Sequence, residues 1–314
     1  MTLADPNATA VAPAAPTVTS TGAASGYDEE RLAKRASPLR QLLRDRAAAV
    51  ALFGLSLSVV LAVLAPVLAP HDPYDNSLGP LLPPAWMQGG MPHALLGTDG
   101  QGRDILSRLL YGLRVTLLMG LASVAIGGVL GMLLGLISAY YRALDPFLMR
   151  LADILLSFPA ILFGLAVAAI FGPGVTAIVI ALSIATVPDV ARVTRSAAVV
   201  VMAQEYMEAG RAIGLSDATL IRRYLLRNCI SSIFVFMTLR FGQVILIGAA
   251  LSFLGLGARP PTAELGMMAS QGRDFLFFAP HVATIPSLGI FMVVLCANIV
   301  GDALRDVLDP RQAT

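Results

Sequence analysis

Six stretches of this chain reach the roughly 20 residues that a helix needs to cross the hydrocarbon core of a bilayer. They are Ala47 to Leu68, Leu113 to Tyr140, Phe147 to Phe171, Val175 to Val200, Ile230 to Leu254 and Val282 to Val300. A segment surrounded by lipid satisfies its backbone polar groups within itself, so these stretches predict an all-α, polytopic membrane protein with about six transmembrane helices. Composition agrees, with 56% of residues hydrophobic and 13% charged, about half the charged share of a soluble domain. In the fourth stretch Pro188, Asp189 and Arg192 predict an interruption.

Lys and Arg are spread unevenly over the connections. With the N-terminus inside, sixteen of the 22 fall on the inner side. Five fall outside (Arg103, Arg108, Arg114, Arg259 and Arg273), and Arg240 lies within the fifth stretch. The side richer in cations is cytoplasmic, which puts both termini and the connection between stretches four and five in the cytoplasm, in a multi-pass protein of the cytoplasmic (inner) membrane. The expected organisation is a tail over 1–26, a basic flank over 27–46, the first span and an extracytoplasmic loop over 47–112, a transmembrane core over 113–304 and a cytoplasmic tail over 305–314. The first tail is rich in Ala, Pro, Thr and Ser and too poor in large apolar side chains to order itself. The flank reads either as a solvated segment or as an interfacial helix with Leu32, Leu39, Leu42 and Leu43 toward lipid. The first apolar run begins too far from the start for a cleaved signal peptide and reads as a retained helix.

Several function classes lose support. A net charge of +2 lacks the basic excess of a nucleic-acid binder. His71, His93 and His281 are isolated, and Cys229 and Cys296 read as core thiols, so no metal-ligand spacing occurs. No catalytic motif appears. The single lysine, Lys34, stands between Ala33 and Arg35, so the chain has no phosphate-cradling P-loop. Energy for transport must therefore come from a partner or from an ion gradient.

Two features inside the apolar stretches admit two readings each. Gly127, Gly131 and Gly135, at intervals of four, let another helix approach closely, either within the bundle or between subunits. Asp153, Asp189 and Arg240 are costly in a membrane and default to functional candidates. Asp153 has Arg150 beside it, Asp189 has Arg192 one turn on, and Arg240 faces either an aqueous cavity or a neighbouring subunit. A proton relay calls for a midplane carboxylate without such a basic neighbour.

The connection from Glu205 to Asn228, "EYMEAGRAIGLSDATLIRRYLLRN", is several times longer than a usual link between bundle helices. Glu205 to Ile213 favours a helix whose packing face is Tyr206, Ala209, Ala212 and Ile213. Gly214 permits a left-handed or closely approached backbone, and Ser216 is placed to cap a second helix beginning at Asp217. Ala218, Ile221, Leu225 and Leu226 recur there at helical spacing, with Arg222, Arg223 and Arg227 on other faces.

This stretch resembles the Glu-Ala-Ala loop of the inner-membrane permeases of binding-protein-dependent ABC importers. "LLGTDGQGRDILSRLLYGLRVTLLMG", "YYRALDPFLMRLADILLSFPAILFGLA", "LSFLGLGARPPTAELGMM" and "NIVGDALRDVLDPR" resemble, more narrowly, the C-type permeases of dipeptide, oligopeptide and nickel importers, over about Arg40 to Arg311. The resemblance implies a coupling helix that seats in a cleft of a cytoplasmic ATPase subunit, formed by Glu205, Glu208, Ala209, Gly210, Gly214, Leu215 and Ser216. It also implies a homologous second permease, two ATP-binding subunits that carry ATP and Mg, an extracytoplasmic binding protein, and no cofactor or nucleic acid on this chain. Peptide is the implied cargo, with nickel chelate, glutathione or another small solute as the alternative. The rival class is an ion-coupled secondary transporter acting alone, which calls for inverted repeats and broken half-helices. A membrane-embedded enzyme lacks any clustered catalytic constellation.

The chain departs from the family pattern at two positions. Gly210 replaces the usual second alanine, which loosens the helix by about 0.5 to 1 kcal/mol but allows closer approach. Arg227 stands where the family often has a proline before Asn228, so the second helix is expected to run on.

Overall fold

The computed structural model describes residues 42–308. The tail over 1–26, most of the flank over 27–46 and residues 309–314 lie outside the described residues. Among the described residues the regular structure is helical: α1 (Arg46–Val63), α2 (Ala65–Leu68), α3 (Ile105–Tyr140), α4 (Asp145–Ser157), α5 (Ala160–Phe171), α6 (Val175–Met202), α7 (Glu205–Ala212), α8 (Asp217–Thr219), α9 (Leu226–Phe253), α10 (Leu265–Gly272) and α11 (His281–Leu308). A π-helical turn, Leu220–Leu225, joins α8 to α9 and makes one rod from Asp217 to Phe253. That rod, α1, α3, α6 and α11 are each long and apolar enough to cross a membrane.

The interruption expected at Pro188 lies elsewhere. Pro188 is buried inside an unbroken α6, whereas the third stretch is broken into α4 and α5, bent by 87°. Pro159 supplies no N–H and disfavours helical geometry in the residue before it. Phe158 is accordingly extended, at φ −96° and ψ 129°, and Pro159 stands as the N-cap of α5. Taken together the two helices are long and apolar enough for a sixth span, broken at Phe158. α3 begins at Ile105 and not at Leu113, because the Asp104 carboxylate caps it by accepting from the Ser107 N–H (2.8 Å) and hydroxyl (2.6 Å).

The glycine stripe packs within the chain. A Cβ on Gly131 would lie 2.6 Å from the Val187 carbonyl oxygen, and one on Gly135 would lie 2.5 Å from that of Ala191, so α3 and α6 touch backbone to backbone. Met119, Ile178, Leu182, Val244 and Leu251 tie α3, α6 and α9 into one core, and Leu113, Leu117, Ile245, Leu265 and Val293 extend it to α10 and α11.

The segment 69–104 is an ordered cap. Asp99 accepts from the Gln101 and Arg103 backbone N–H groups and the Arg103 Nε, and pairs with Arg108 at 3.4 Å. Arg108, inside α3, donates to the carbonyls of Pro73 and Pro261. Glu264, wholly buried, accepts from the Gly266 and Met267 N–H groups at the start of α10 and from the Thr116 hydroxyl of α3.

Candidate functional site

α6 ends at Met202, and after Ala203 and Gln204 the chain turns into α7. Glu205 and Glu208 in its first turn suit the positive end of the helix dipole. The expected packing face is corrected here. Met207 and Gly210 are buried, while Tyr206, Ala209, Ala212 and Ile213 point outward, Ile213 being 76% exposed. Gly210 gives the reason: a Cβ there would lie 2.8 Å from a Leu220 methyl and 3.4 Å from one of Leu215, so the following segment folds back over the glycine. The site residues Glu205, Glu208 and Ala209 remain exposed around this apolar tip.

α7 ends in a complete Schellman motif. The Gly214 N–H bonds to the Arg211 carbonyl (3.0 Å) and the Leu215 N–H to the Gly210 carbonyl (3.1 Å). Gly214 has φ +76° and nothing within 4 Å of a built Cβ, so its role is the left-handed turn and not a close approach. Ser216 stands at the N-cap of α8 but caps through its backbone: its carbonyl accepts from the Thr219 and Leu220 N–H groups, and its hydroxyl shares a 2.9 Å hydrogen bond with that of Thr219.

Past Ser216 the buried positions are Leu220, Leu225, Cys229 and Ile233. Ala218 is exposed, and Ile221 and Leu226 are half-buried, which corrects the face expected from regular spacing. The first step is five residues and the next two are four, because the π turn inserts a residue and rotates the register. The helix runs on through Arg227 without a break.

Two kinds of contact lock the insert to the bundle, and a tyrosine stack within the insert stiffens it. Tyr140 and Tyr141, at the end of α3, donate their hydroxyls to the two oxygens of Asp217, at 2.7 and 3.2 Å. The Arg211 guanidinium lies 5.6 Å above the Tyr140 ring, and the Tyr206 and Tyr224 rings stack at 6.4 Å. Desolvation and the bond to Asp217 raise the Tyr141 phenol above its ordinary value. Beneath the insert, Asp145 and Arg195 form a two-pronged ion pair in a cleft of about 1120 Å³ that Glu208, Arg211 and Asp217 also line. No motif marks this tyrosine clamp; the paired tyrosines closing a long apolar run are its only sequence signal.

The ionisable groups inside the spans pair between helices and not with their sequence neighbours. Asp153 of α4 meets Arg192 of α6, and Asp189 of α6 meets Arg240 of α9 at 2.6 Å.

The comparisons with known proteins agree with this architecture. Residues 127–314 match the family described as the binding-protein-dependent transport system inner membrane component, and residues 35–84 match the N-terminal TM domain of oligopeptide transport permease C. The di/tripeptide transport system permease protein DppC of Pseudomonas aeruginosa (strain UCBPP-PA14) is 42% identical over 281 residues, 88% of this chain and 93% of the relative. The glutathione transport system permease protein GsiD of Escherichia coli O6:K15:H31 (strain 536 / UPEC) is 42% identical over 279 residues, 87% of this chain and 89% of the relative. An inward-facing crystal form of the MetNI methionine ABC transporter superposes with a TM-score of 0.53 at 21% identity, covering 66% of this chain and 96% of that one, which shows a shared fold. The chain belongs to the binding-protein-dependent inner-membrane components and is a permease subunit of the ABC importer class.

Proposed function

We propose that this permease carries di- or oligopeptides into the cell as one half of a permease pair, and that α7 with the Gly214 bend is where a cytoplasmic ATPase subunit docks. The observation that carries the docking role is the exposed face of Glu205, Glu208, Ala209 and Ile213 on an insert held rigidly from behind by Met207, Leu220 and the tyrosine clamp. Tyr206, Ala209 and Ile213 are exposed at helical spacing on one side of α7, an apolar patch rimmed by polar groups of the kind that marks a protein contact. The arginine distribution supports an inner location for this insert and for both termini.

In this reading ATP and Mg sit on the partner subunits, since the chain has no P-loop lysine. Closure of two ATPases draws their docked α7 helices together. The unbroken rod from Asp217 to Phe253 carries that movement into the bundle, and Asp217 passes it to α3 through Tyr140 and Tyr141. The two permeases then rock between inward-open and outward-open arrangements, the outward one receiving solute from the binding protein.

A peptide cargo rests on the relatives named as peptide permeases. Glutathione is a second reading, supported by a relative of equal identity. The test is uptake by proteoliposomes that contain this chain with a partner permease, ATPase subunits and a binding protein. ATP-dependent accumulation of dipeptide is expected; gradient-driven uptake by this chain alone would overturn the importer reading.

A further inference from the structure

Asp189 and Arg240 hold equivalent places in two antiparallel helices. Each is the fifteenth residue of a helix of 28, and Arg240 is the twenty-fourth of the 37-residue rod, so the ion pair lies well inside both spans. A charge pair at that depth is costly toward lipid and calls for a polar surrounding. Nor is the pair sealed in the core: the side chains are 29% and 19% exposed.

The Arg240 guanidinium is also incompletely satisfied. One terminal nitrogen meets Asp189, the other donates to Gln243 at 2.8 Å, and Nε is buried with no acceptor among the described residues. One turn from Asp189 along α6, the ion pair of Arg192 with Asp153 is more open still, at 51% and 58% exposed. Four charges thus stand within about one turn along α6.

A cleft continues this face toward the α7 end. It holds about 520 Å³ between α6, α9 and α11 and is lined by Val193, Ser231, Ser232, Phe236 and Arg305 among others. Val193 follows Asp189 by one turn and Phe236 precedes Arg240 by one turn, so the cleft and the pair are neighbours on the same two helices. Its volume is that of a small-ligand pocket.

We infer that Asp189 and Arg240 form an intramembrane site for a solute that carries both a carboxylate and an ammonium group. The inference rests on the transport reading above and names the residues that would handle the cargo. Arg240 offers a planar fork to the carboxylate, and Asp189 accepts from the ammonium. The two residues hold each other while the site is empty. Exchanging one ion pair for two leaves no charge stranded within the spans as the solute passes, and it selects solutes that carry both groups over those that carry one or neither.

The test uses the complete importer in proteoliposomes, with alanyl-alanine and glutathione as probes. A purely structural pair is harmed by Arg240→Gln, which strands a carboxylate, and recovers in Asp189→Asn/Arg240→Gln, where neither charge remains. A binding pair does not recover. Both variants should lose about tenfold or more of uptake, with fewer molecules moved per ATP hydrolysed. A second measurement holds even if the double variant assembles poorly. With Cys229 and Cys296 replaced by serine, Gln243→Cys should react with a charged thiol reagent, and either probe should slow the reaction during turnover.

An active double variant, or an inert Gln243→Cys, overturns the inference while leaving the transport reading standing. A wild-type complex that moves neither probe overturns the transport reading, and the inference with it.

Discussion

The Tyr140 phenol donates to Asp217 at 2.7 Å, joining the last residue of α3 to the first residue of the Asp217–Phe253 rod. Tyr141 takes the other carboxylate oxygen, so a movement of the insert has a second route into the bundle besides the rod itself. The double substitution Tyr140→Phe/Tyr141→Phe removes both bonds and keeps the rings. It is expected to cost about 1 kcal/mol or less in stability, because the bonds are exposed. Peptides moved per ATP hydrolysed should fall more than thermal stability does, which parallel uptake and ATPase assays on the assembled importer would measure.

Gly214 is required for its backbone conformation, since open space surrounds it. Gly214→Ala should cost about 1 to 2 kcal/mol through the left-handed turn alone. Gly214→Asn should be milder and Gly214→Val worse, an order set by φ and not by size. Thermal unfolding of the importer with each variant checks the ranking.

The glycines of α3 divide by what they face. Gly131 meets the Val187 carbonyl, part of a rigid helix, whereas Gly128 meets only the end of the Met237 side chain. Gly131→Ala should therefore destabilise by about 1 to 3 kcal/mol, and Gly128→Ala by less, because the methionine can swing aside. The yield and melting temperature of the purified permease pair would separate the two.

Glu264 caps α10 and ties it to Thr116 of α3. Glu264→Ala removes the cap and leaves buried donors unmet, an expected loss of about 2 kcal/mol or more. Glu264→Gln keeps one carbonyl acceptor and should lose less, again by thermal unfolding.

Much of this was legible in the residues. Apolar runs of spanning length located the helices, and the Gly127–Gly131–Gly135 spacing announced a close helix contact, though only the structure assigns it to α6. The length and polarity of 205–228 set the insert apart. The inward face of its second half was not legible, because the π turn at Leu220–Leu225 shifts the register by a residue and no local signal announces it. The break at Phe158–Pro159 was written as plainly as Pro188, yet only the first proline stops a helix. Pro159 falls at a helix start, whereas Pro188 sits within a helix whose neighbours pack around it. The ion pairs Asp153–Arg192 and Asp189–Arg240 depend on which helices are neighbours, which spacing along one helix does not contain.

The central claim is that α7 is the docking element for the ATPase, and Glu208 on its exposed face tests it most directly. The measurement is peptide uptake and ATP hydrolysis, read together, in proteoliposomes of the complete importer carrying Glu208→Arg. The account predicts that uptake falls by about tenfold or more through charge reversal at the contact, with the membrane bundle still folded and paired. Wild-type uptake at the wild-type ratio to ATP hydrolysed would contradict it.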